Sequence, residues 1–260
     1  MSRETILRFE DVSMRFGGIK AIDGVSFEVE EGRIFGIIGP NGAGKTTIFN
    51  VISGVYVPSS GTVSSASLVL NKLPPHRITG ALVGRTFQNI RLFDDQTVLD
   101  NVKIAQYSKT RYSLADVLVS SPRLRREEER IHEEAMEILG SLGLSDKAES
   151  KAGALPYGEQ RRVEIARALA SRPRILLLDE PAAGMNPSEI DSLNALIVGI
   201  RDRFGLTVLL VEHQMRLVME VCEEILVLNF GKKLALGRPD EIKNDDRVLE
   251  AYLGKAHKHE

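Results

Sequence analysis

A glycine-rich segment of eight residues near position 40 constrains this 260-residue chain more than any other feature. It reads Gly39-Pro40-Asn41-Gly42-Ala43-Gly44-Lys45-Thr46, fits the pattern G-x-x-x-x-G-K-[ST], and follows an apolar run at residues 34–38. Glycines let successive backbone N–H groups converge on an anion, and a helix N-terminus adds partial positive charge. The segment therefore predicts a strand, a phosphate-binding loop and a helix. In that arrangement Lys45 faces the β- and γ-phosphates, Thr46 is a Mg²⁺ ligand, and Thr47 belongs to the same nucleotide-binding set.

A second apolar run ends in two acids. Residues 175–178 are Ile-Leu-Leu-Leu, and Asp179 and Glu180 follow directly. A continuous apolar run is typical of a strand buried on both faces of a parallel sheet, and such sheets bind ligands at the carboxyl ends of their strands. A single acid at a strand end is usually a turn or a helix cap, but two acids here favour nucleotide hydrolysis. We predict that Asp179 holds the Mg²⁺, directly or through water, and that Glu180 polarises the attacking water.

The composition is that of an ordinary globular protein. Apolar residues make up 43% of the chain, charged residues 27%, and the formal charge is −2, which gives no general attraction to nucleic acid. Cys222 is the single cysteine, so an internal disulfide is excluded and a reducing compartment is expected. Apolar runs stop after about six residues, far short of the ~18 that cross a bilayer. We expect no cleaved leader, and any membrane role has to come through a partner.

Strands and helices alternate along most of the chain, which predicts an α/β fold with a mostly parallel sheet covered on both faces. The first 30 residues show β-type alternation, with a predicted turn at Asp23-Gly24. Between the two β-rich parts, residues 89–155 read as an α-helical insertion, in which residues 123–142 form a long amphipathic helix. A further helix is predicted over residues 160–170, ahead of the acidic strand.

Further segments appear in a fixed order and carry a family resemblance. They are Phe16 in Met14-Arg15-Phe16-Gly17-Gly18, Gln88 in residues 85–93, residues 155–162 (Leu-Pro-Tyr-Gly-Glu-Gln-Arg-Arg), residues 181–187, His213 in Glu212-His213-Gln214-Met215, and Ala251-Tyr252-Leu253-Gly254. From Phe9 to about Leu253 the chain resembles the ATP-binding domain of ABC transporters, and within them the ATPase subunits of branched-chain amino acid importers.

The resemblance implies a P-loop NTPase core with an antiparallel β subdomain on the N-terminal side and an inserted α-helical subdomain. The expected boundaries within this single domain are 1–88 and 156–225 for the nucleotide-binding core, 89–155 for the helical subdomain and 226–260 for a C-terminal extension.

The resemblance also implies residue roles. Phe16 stacks on adenine, Gln88 contacts the Mg²⁺ or the water and senses the membrane partner, and His213 hydrogen-bonds the γ-phosphate and steadies the water held by Glu180. Catalytic roles thus fall to Glu180, His213 and Gln88. Tyr157, Gly158 and Glu159 are expected to cover the ATP held by a second subunit.

The chain departs from the family pattern where that covering segment begins. Pro156 replaces the usual serine and brings neither a hydroxyl nor an N–H, and Tyr157 replaces the first of two glycines. One hypothesis is that this subunit's contribution to its partner's ATP site is weakened, so that the two sites of the dimer are unequal. The alternative is that backbone donors from Gly158 onward suffice.

The implied partners are transmembrane permease subunits, a second identical or homologous ATPase and, through the permease, a solute-binding protein, with no nucleic acid. The implied place is the cytoplasmic face of the inner membrane, as a peripheral subunit using ATP and Mg²⁺.

Alternatives within the same chemistry are ATPases of other transporters, such as lipid or lipopolysaccharide exporters. A soluble ABC ATPase of DNA repair or translation would carry long coiled coils or two such domains, and a nucleotide kinase or GTPase would lack the segment at Leu155 and the histidine at 213.

Overall fold

The computed structural model describes residues 4–66, 68–107, 109–110, 116 and 121–253. Two sheets organise these residues. A four-stranded sheet has the order β2-β1-β4-β5, and a six-stranded sheet has the order β10-β9-β3-β8-β7-β6. The strands are β1 (Thr5–Phe16), β2 (Ile19–Glu30), β3 (Ile34–Ile38), β4 (Ser60–Ser65), β5 (Leu68–Val69), β6 (Val83–Arg85), β7 (Ile175–Asp179), β8 (Thr207–Val211), β9 (Glu224–Asn229) and β10 (Lys232–Gly237).

Helices cover the larger sheet and form the inserted subdomain. They are α1 (Lys45–Ile52), α2 (Pro75–Ala81), α3 (Val98–Tyr107), α4 (Pro122–Ser141), α5 (Tyr157–Ala170), α6 (Pro187–Phe204), α7 (Met215–Val221), α8 (Pro239–Lys243) and α9 (Asp246–Leu253). Among the described residues no helix combines the length and apolar character needed to span a bilayer.

The predicted α/β class with a mostly parallel sheet is confirmed. Strands β3, β7 and β8 are buried along their whole length, as their unbroken apolar sequences require. In the large sheet β9, β3, β8, β7 and β6 pair in parallel, and only β10 pairs antiparallel, with β9. The smaller sheet is antiparallel and is built from the N-terminal strands, which confirms the predicted β subdomain.

Two apolar cores lie on the two faces of the large sheet. One packs the small sheet and α1 against it and includes stacked rings of Phe9, Phe27 and Phe35 at centroid distances of 4.5 and 5.6 Å. The other core packs the helices of the inserted segment, and the helices that come after that segment in the chain, against the opposite face. On α4 the predicted apolar face is buried, including Ile131 and Leu139, so the charged remainder is its outer face.

Several predicted boundaries differ from the structure. The turn predicted at Asp23-Gly24 is wrong, because β2 continues through it with a register shift and a left-handed Gly24 (φ 64°). Helix α5 begins at Tyr157, three residues before the prediction. The predicted boundary between core and extension, at residues 225 and 226, falls inside β9, which pairs with β3 at the centre of the large sheet. Residues 254–260, at the end of the predicted extension, lie outside the described residues, and so do parts of the predicted helical subdomain.

Candidate functional site

The predicted phosphate-binding loop connects β3 to α1 and is held in an open curve by neighbouring backbone. A Cβ on Gly39 would lie 2.2 Å from the carbonyl oxygen of Leu228, and one on Gly44 (φ 104°) would lie 2.4 Å from that of Ala21. These contacts demand glycine on steric grounds as well as by dihedral angle. The hairpin between β9 and β10 supports the loop too, through the Gly231 N–H that donates to Ala43 O at 3.1 Å.

Lys45 starts α1 and is 6% exposed. Its Nζ donates to the carbonyl oxygens of Gly39 at 2.7 Å and Pro40 at 3.0 Å, so the ammonium lies inside the curve of the loop. Burial lowers the pKa of Lys45, and the charges of Glu180 and Asp179 oppose that shift. The structure thus brings the loop cation and both predicted acids into one electrostatic cluster.

Asp179 is the last residue of β7, and its side chain is 5% exposed. Its Oδ2 lies 3.2 Å from Arg85 Nη2. Burial raises the pKa of Asp179, and the Arg85 guanidinium opposes that shift by its charge and its hydrogen bond. Arg85 has no role predicted from the sequence, where its position next to Thr86-Phe87-Gln88 is the available signal.

Glu180 has a left-handed backbone (φ 49°), a conformation that costs a non-glycine residue about 1–3 kcal/mol and that clusters at functional sites. Its carboxylate is held at both oxygens: Gln88 Nε2 donates to Oε2 at 2.9 Å, and His213 Nε2 lies 3.0 Å from Oε1. The three residues predicted to act in catalysis therefore meet, although they come from the ends of three different strands.

Glu212, next to His213, is 2% exposed and anchors the loop residues around it. Its Oε1 accepts from the Ala182 N–H at 2.7 Å, and its Oε2 accepts from the N–H groups of His213 at 2.8 Å and Gln214 at 3.0 Å. It therefore ties the segment after Glu180 to the segment that carries His213. Its position directly after a buried strand was the signal available in the sequence.

A buried ion pair on α5 is hydrogen-bonded to the backbone of Phe87 and Gln88. Arg161 and Glu164 are 0% and 1% exposed in their side chains and lie 2.6 Å apart. Arg161 donates to Phe87 O at 2.6 Å and to Gln88 O at 2.9 Å, while Glu164 accepts from the Phe87 N–H at 3.1 Å. Burial raises the pKa of Glu164, and Arg161 opposes that shift. The Arg161–Glu164 pair is the connection between α5 and Gln88 that sequence reasoning missed.

The other predicted residues are exposed or half-buried. Phe16 ends β1, is 42% exposed, and meets Tyr56 edge-on at a centroid distance of 5.0 Å. Tyr157 is 46% exposed at the start of α5, and its hydroxyl accepts from Arg161 at 3.1 Å. Pro156 is the N-cap of α5 and, as predicted, offers no side-chain cap. Within the described residues, no hydrogen bond or ring contact joins Tyr157, Gly158 or Glu159 to the phosphate-binding loop.

The donors present suit Mg²⁺ bound together with a nucleotide. Within the described ranges, no group of three or more His, Cys, Asp or Glu could hold a metal ion without other ligands. Mg²⁺ in nucleotide sites uses one or two protein oxygens plus phosphates and waters. Asp179 Oδ1, the exposed Thr46 hydroxyl and the Gln88 side-chain carbonyl are oxygen donors of that type, and the Gln88 amide nitrogen is engaged with Glu180.

Comparison with known proteins places this geometry among related chains. Residues 22–183 match the family described as "ABC transporter", and residues 232–258 match "Branched-chain amino acid ATP-binding cassette transporter". The chain is 46% identical over 256 residues to the high-affinity branched-chain amino acid transport ATP-binding protein BraF of Pseudomonas aeruginosa, covering 98% of this chain and 100% of that protein. It is 42% identical over 253 residues to LivG of Escherichia coli K12, which carries the same description, covering 97% and 99%.

Solved structures agree with the sequence matches. A nucleotide-free ATP-binding cassette from an ABC transporter superposes with a TM-score of 0.82 at 34% identity, covering 97% of this chain and 100% of the other. A dimeric ATP-binding cassette in a post-hydrolysis state, bound to ADP and phosphate, superposes with a TM-score of 0.75 at 27% identity, covering 90% and 99%.

Proposed function

The chain belongs to the ABC transporter family of ATP-binding proteins, and on that premise we propose that it is the energy-coupling ATPase subunit of a membrane importer for branched-chain amino acids. The observation that carries the catalytic part is the Glu180 carboxylate, held between Gln88 and His213 and close enough to Lys45 for their charges to interact. The substrate class rests on the names of the relatives and on the match of residues 232–258.

The phosphate-binding loop binds the triphosphate tail of ATP through its backbone N–H groups and the Lys45 ammonium. Before binding, that ammonium is satisfied by the Gly39 and Pro40 carbonyls, so the site holds a buried cation without leaving it unpaired. Phosphate oxygens then take over these contacts as charge-assisted hydrogen bonds, which are the stronger kind. Phe16, exposed at the end of β1, supplies a ring for the adenine.

Glu180 orients the attacking water and takes its proton at a carboxylate oxygen. Gln88 and His213 each engage one oxygen of that carboxylate and so fix its plane. His213 also donates toward the γ-phosphate, and Gln88 reports the state of the membrane partner to Glu180. When bound with ATP, Mg²⁺ would neutralise phosphate charge, and Asp179, Thr46 and Gln88 are the residues that would hold it.

Two such subunits act together. Tyr157, Gly158 and Glu159 at the start of α5 make no hydrogen bond to the phosphate-binding loop of their own subunit among the described residues. In the proposed dimer they cover the ATP that is bound by the partner subunit. A solved cassette described as a dimer bound to ADP and phosphate supports the pairing of two subunits. ATP favours the closed dimer because it contacts both halves only there. The dimer sits on permease subunits at the cytoplasmic face of the inner membrane.

A Glu180→Gln variant tests the catalytic proposal, with Glu133→Gln on the exposed face of α4 as the matched control. We expect turnover to fall by about 10²–10⁴-fold in Glu180→Gln, because general-base positioning is worth that much. Binding of a fluorescent ATP analogue should persist in both variants. Hydrolysis at the wild-type rate by Glu180→Gln would contradict the role.

The substrate proposal needs a separate measurement. The ATPase is assembled with its permeases and solute-binding protein in vesicles, and ATP-dependent uptake of labelled leucine, isoleucine and valine is compared with uptake of lysine and glutamate. Uptake limited to the branched-chain amino acids supports the proposal. Active hydrolysis with uptake of another solute, or with outward movement of lipid, would refute the substrate class and leave the ATPase assignment standing.

A further inference from the structure

Arg85 is a buried cation at the end of β6 that the mechanism above does not use. Its side chain is 7% exposed, and that of its ion-pair partner Asp179 is 5% exposed. A buried charge is tolerated only when it is paired and hydrogen-bonded, so its contacts are specific. They reach two different elements of the site.

One arm of the guanidinium holds Asp179, with Nη2 lying 3.2 Å from Oδ2. The other arm holds the C-terminal end of α1, where Nη1 donates to Asn50 Oδ1 at 2.7 Å and to Ser53 Oγ at 3.0 Å. The planar fork of arginine can make both contacts at once from a fixed position, whereas a lysine ammonium is a single point. Arg85 thus links α1 to the carboxyl end of β7.

Two aromatic rings restrict the guanidinium further. Its central carbon lies 5.7 Å from the centroid of the Phe49 ring and 5.2 Å from that of the Phe87 ring. Both distances are within the range of a cation–π contact. With rings beside it and hydrogen bonds on both arms, Arg85 keeps one position, and that position sets where Asp179 lies relative to α1.

The two elements that Arg85 links carry two of the oxygen donors assigned above to Mg²⁺: Thr46 in the first turn of α1, and Asp179 on β7. Mg²⁺ demands near-ideal octahedral geometry with short metal–oxygen distances, whereas Ca²⁺ accepts flexible arrangements of more oxygens. We propose that Arg85 is a positioning residue for the metal: it fixes α1 and the Asp179 carboxylate at the spacing that Mg²⁺ requires and thereby favours Mg²⁺ over Ca²⁺. This inference rests on the proposed ATPase function.

The state of the Asp179 carboxylate agrees with this role. Arg85 occupies Oδ2, which leaves Oδ1 as the oxygen for the metal or for one of its waters. A carboxylate restricted to one oxygen suits the small hexacoordinate ion and disfavours the bidentate coordination that is common for Ca²⁺.

Arg85→Lys tests the proposal, with Arg91→Lys as the control. Arg91 is exposed, and the central carbon of its guanidinium lies 4.8 Å from the centroid of the same Phe87 ring. Protein with a non-hydrolysable fluorescent ATP analogue is titrated with Mg²⁺ and, separately, with Ca²⁺, after the affinity for the analogue alone is measured in EDTA. Loss of a residue that orients a metal ligand costs about 10–100-fold in metal affinity.

In Arg85→Lys we therefore expect the Mg²⁺ concentration at half-saturation to rise about tenfold or more, with the Ca²⁺ value changing by less than about twofold. The affinity in EDTA should stay as in the wild type, and Arg91→Lys should change nothing. An unchanged Mg²⁺ value, or equal shifts for both ions, would overturn the inference. If wild-type protein fails to bind the analogue at all, the proposed function is what has failed.

Should Arg85→Lys fold poorly in a thermal melt, Asn50→Ala gives a second test, because it removes the shorter of the two hydrogen bonds between the guanidinium and the end of α1 and leaves the Asp179 contact in place. The same selective loss of Mg²⁺ affinity, smaller in size, is expected there. Equal Mg²⁺ and Ca²⁺ shifts in Asn50→Ala would also overturn the inference.

Discussion

Replacing Arg161 by methionine should destabilise the whole domain, because it leaves the Glu164 carboxylate buried without its hydrogen-bonded cation. Removing one partner of a buried ion pair costs about 3–5 kcal/mol. In a domain of this size each kcal/mol lowers the melting temperature by about 2–4 °C. The two ranges multiply to a fall of about 6–20 °C in Tm, which a thermal melt followed by circular dichroism measures directly.

The double variant Arg161→Met/Glu164→Met separates charge from contact. Apolar replacement of a whole buried pair is often neutral or stabilising, so the double variant should recover at least half of the lost Tm. It cannot recover the hydrogen bonds from Arg161 to Phe87 O and Gln88 O, which are lost in both variants, and it also removes the acceptor of the Phe87 N–H. ATP turnover should therefore stay impaired in the double variant although its stability returns.

The defect of Arg161→Met should also depend on pH. Burial raises the pKa of Glu164 in the folded protein, and loss of Arg161 raises it further. A carboxyl whose pKa is raised in the folded state gives stability that is present at low pH and is lost as the pH rises through the folded pKa. The Tm deficit should thus be smaller at acidic pH than above neutrality. A single variant that melts within about 2 °C of the wild type, or a double variant no more stable than the single one, would refute the reasoning.

Two further predictions concern the loop and the start of α5. Gly44→Ala should abolish binding of a fluorescent ATP analogue, because the new Cβ would lie 2.4 Å from Ala21 O. Gly42→Ala is the control: its Cβ meets open space, so binding should weaken less. Equal losses in the two variants would show that the steric argument is wrong. Pro156→Ser should raise the ATPase rate of the assembled transporter if the missing hydroxyl weakens the partner's ATP site. An unchanged rate and nucleotide affinity would favour the alternative, that backbone donors from Gly158 onward suffice.

The sequence was sufficient to predict the parts of the site that depend on local pattern. Glycine spacing predicted a loop between a strand and a helix, which the structure has between β3 and α1. The unbroken apolar runs before residues 39 and 179 predicted two strands, whose carboxyl ends meet at one sheet edge. The same logic failed at Gly24, where an isolated glycine marks an irregularity within a strand rather than its end. A turn and a bulge share the same residue chemistry, and only the pairing of β1 with β2 distinguishes them.

The partners of the charged residues could not be predicted in this way. Arg161 and Glu164 lie three residues apart in a helix of mixed composition. Helical spacing alone predicts an exposed ion pair there, worth roughly 0.2–0.5 kcal/mol. Their burial arises because α5 packs against the segment after β6, which is distant in sequence. Arg85 is similar: its hydrogen-bond partners lie 32 to 94 residues away along the chain.

Glu180 and Glu212 show why the structure adds chemistry that the sequence pattern leaves open. Both acids follow a buried strand of the same sheet. Glu212 accepts three backbone N–H groups, which occupy three of the roughly four lone-pair sites of a carboxylate, and it is 2% exposed, so it is poorly placed to take a proton from water. Glu180 is contacted by two side chains, one per oxygen, and its side chain keeps 18% of its surface exposed. Since side-chain partners can move when ligand arrives and each carboxylate oxygen has a second lone pair, Glu180 is the acid able to accept a water proton while Glu212 maintains the loops around it.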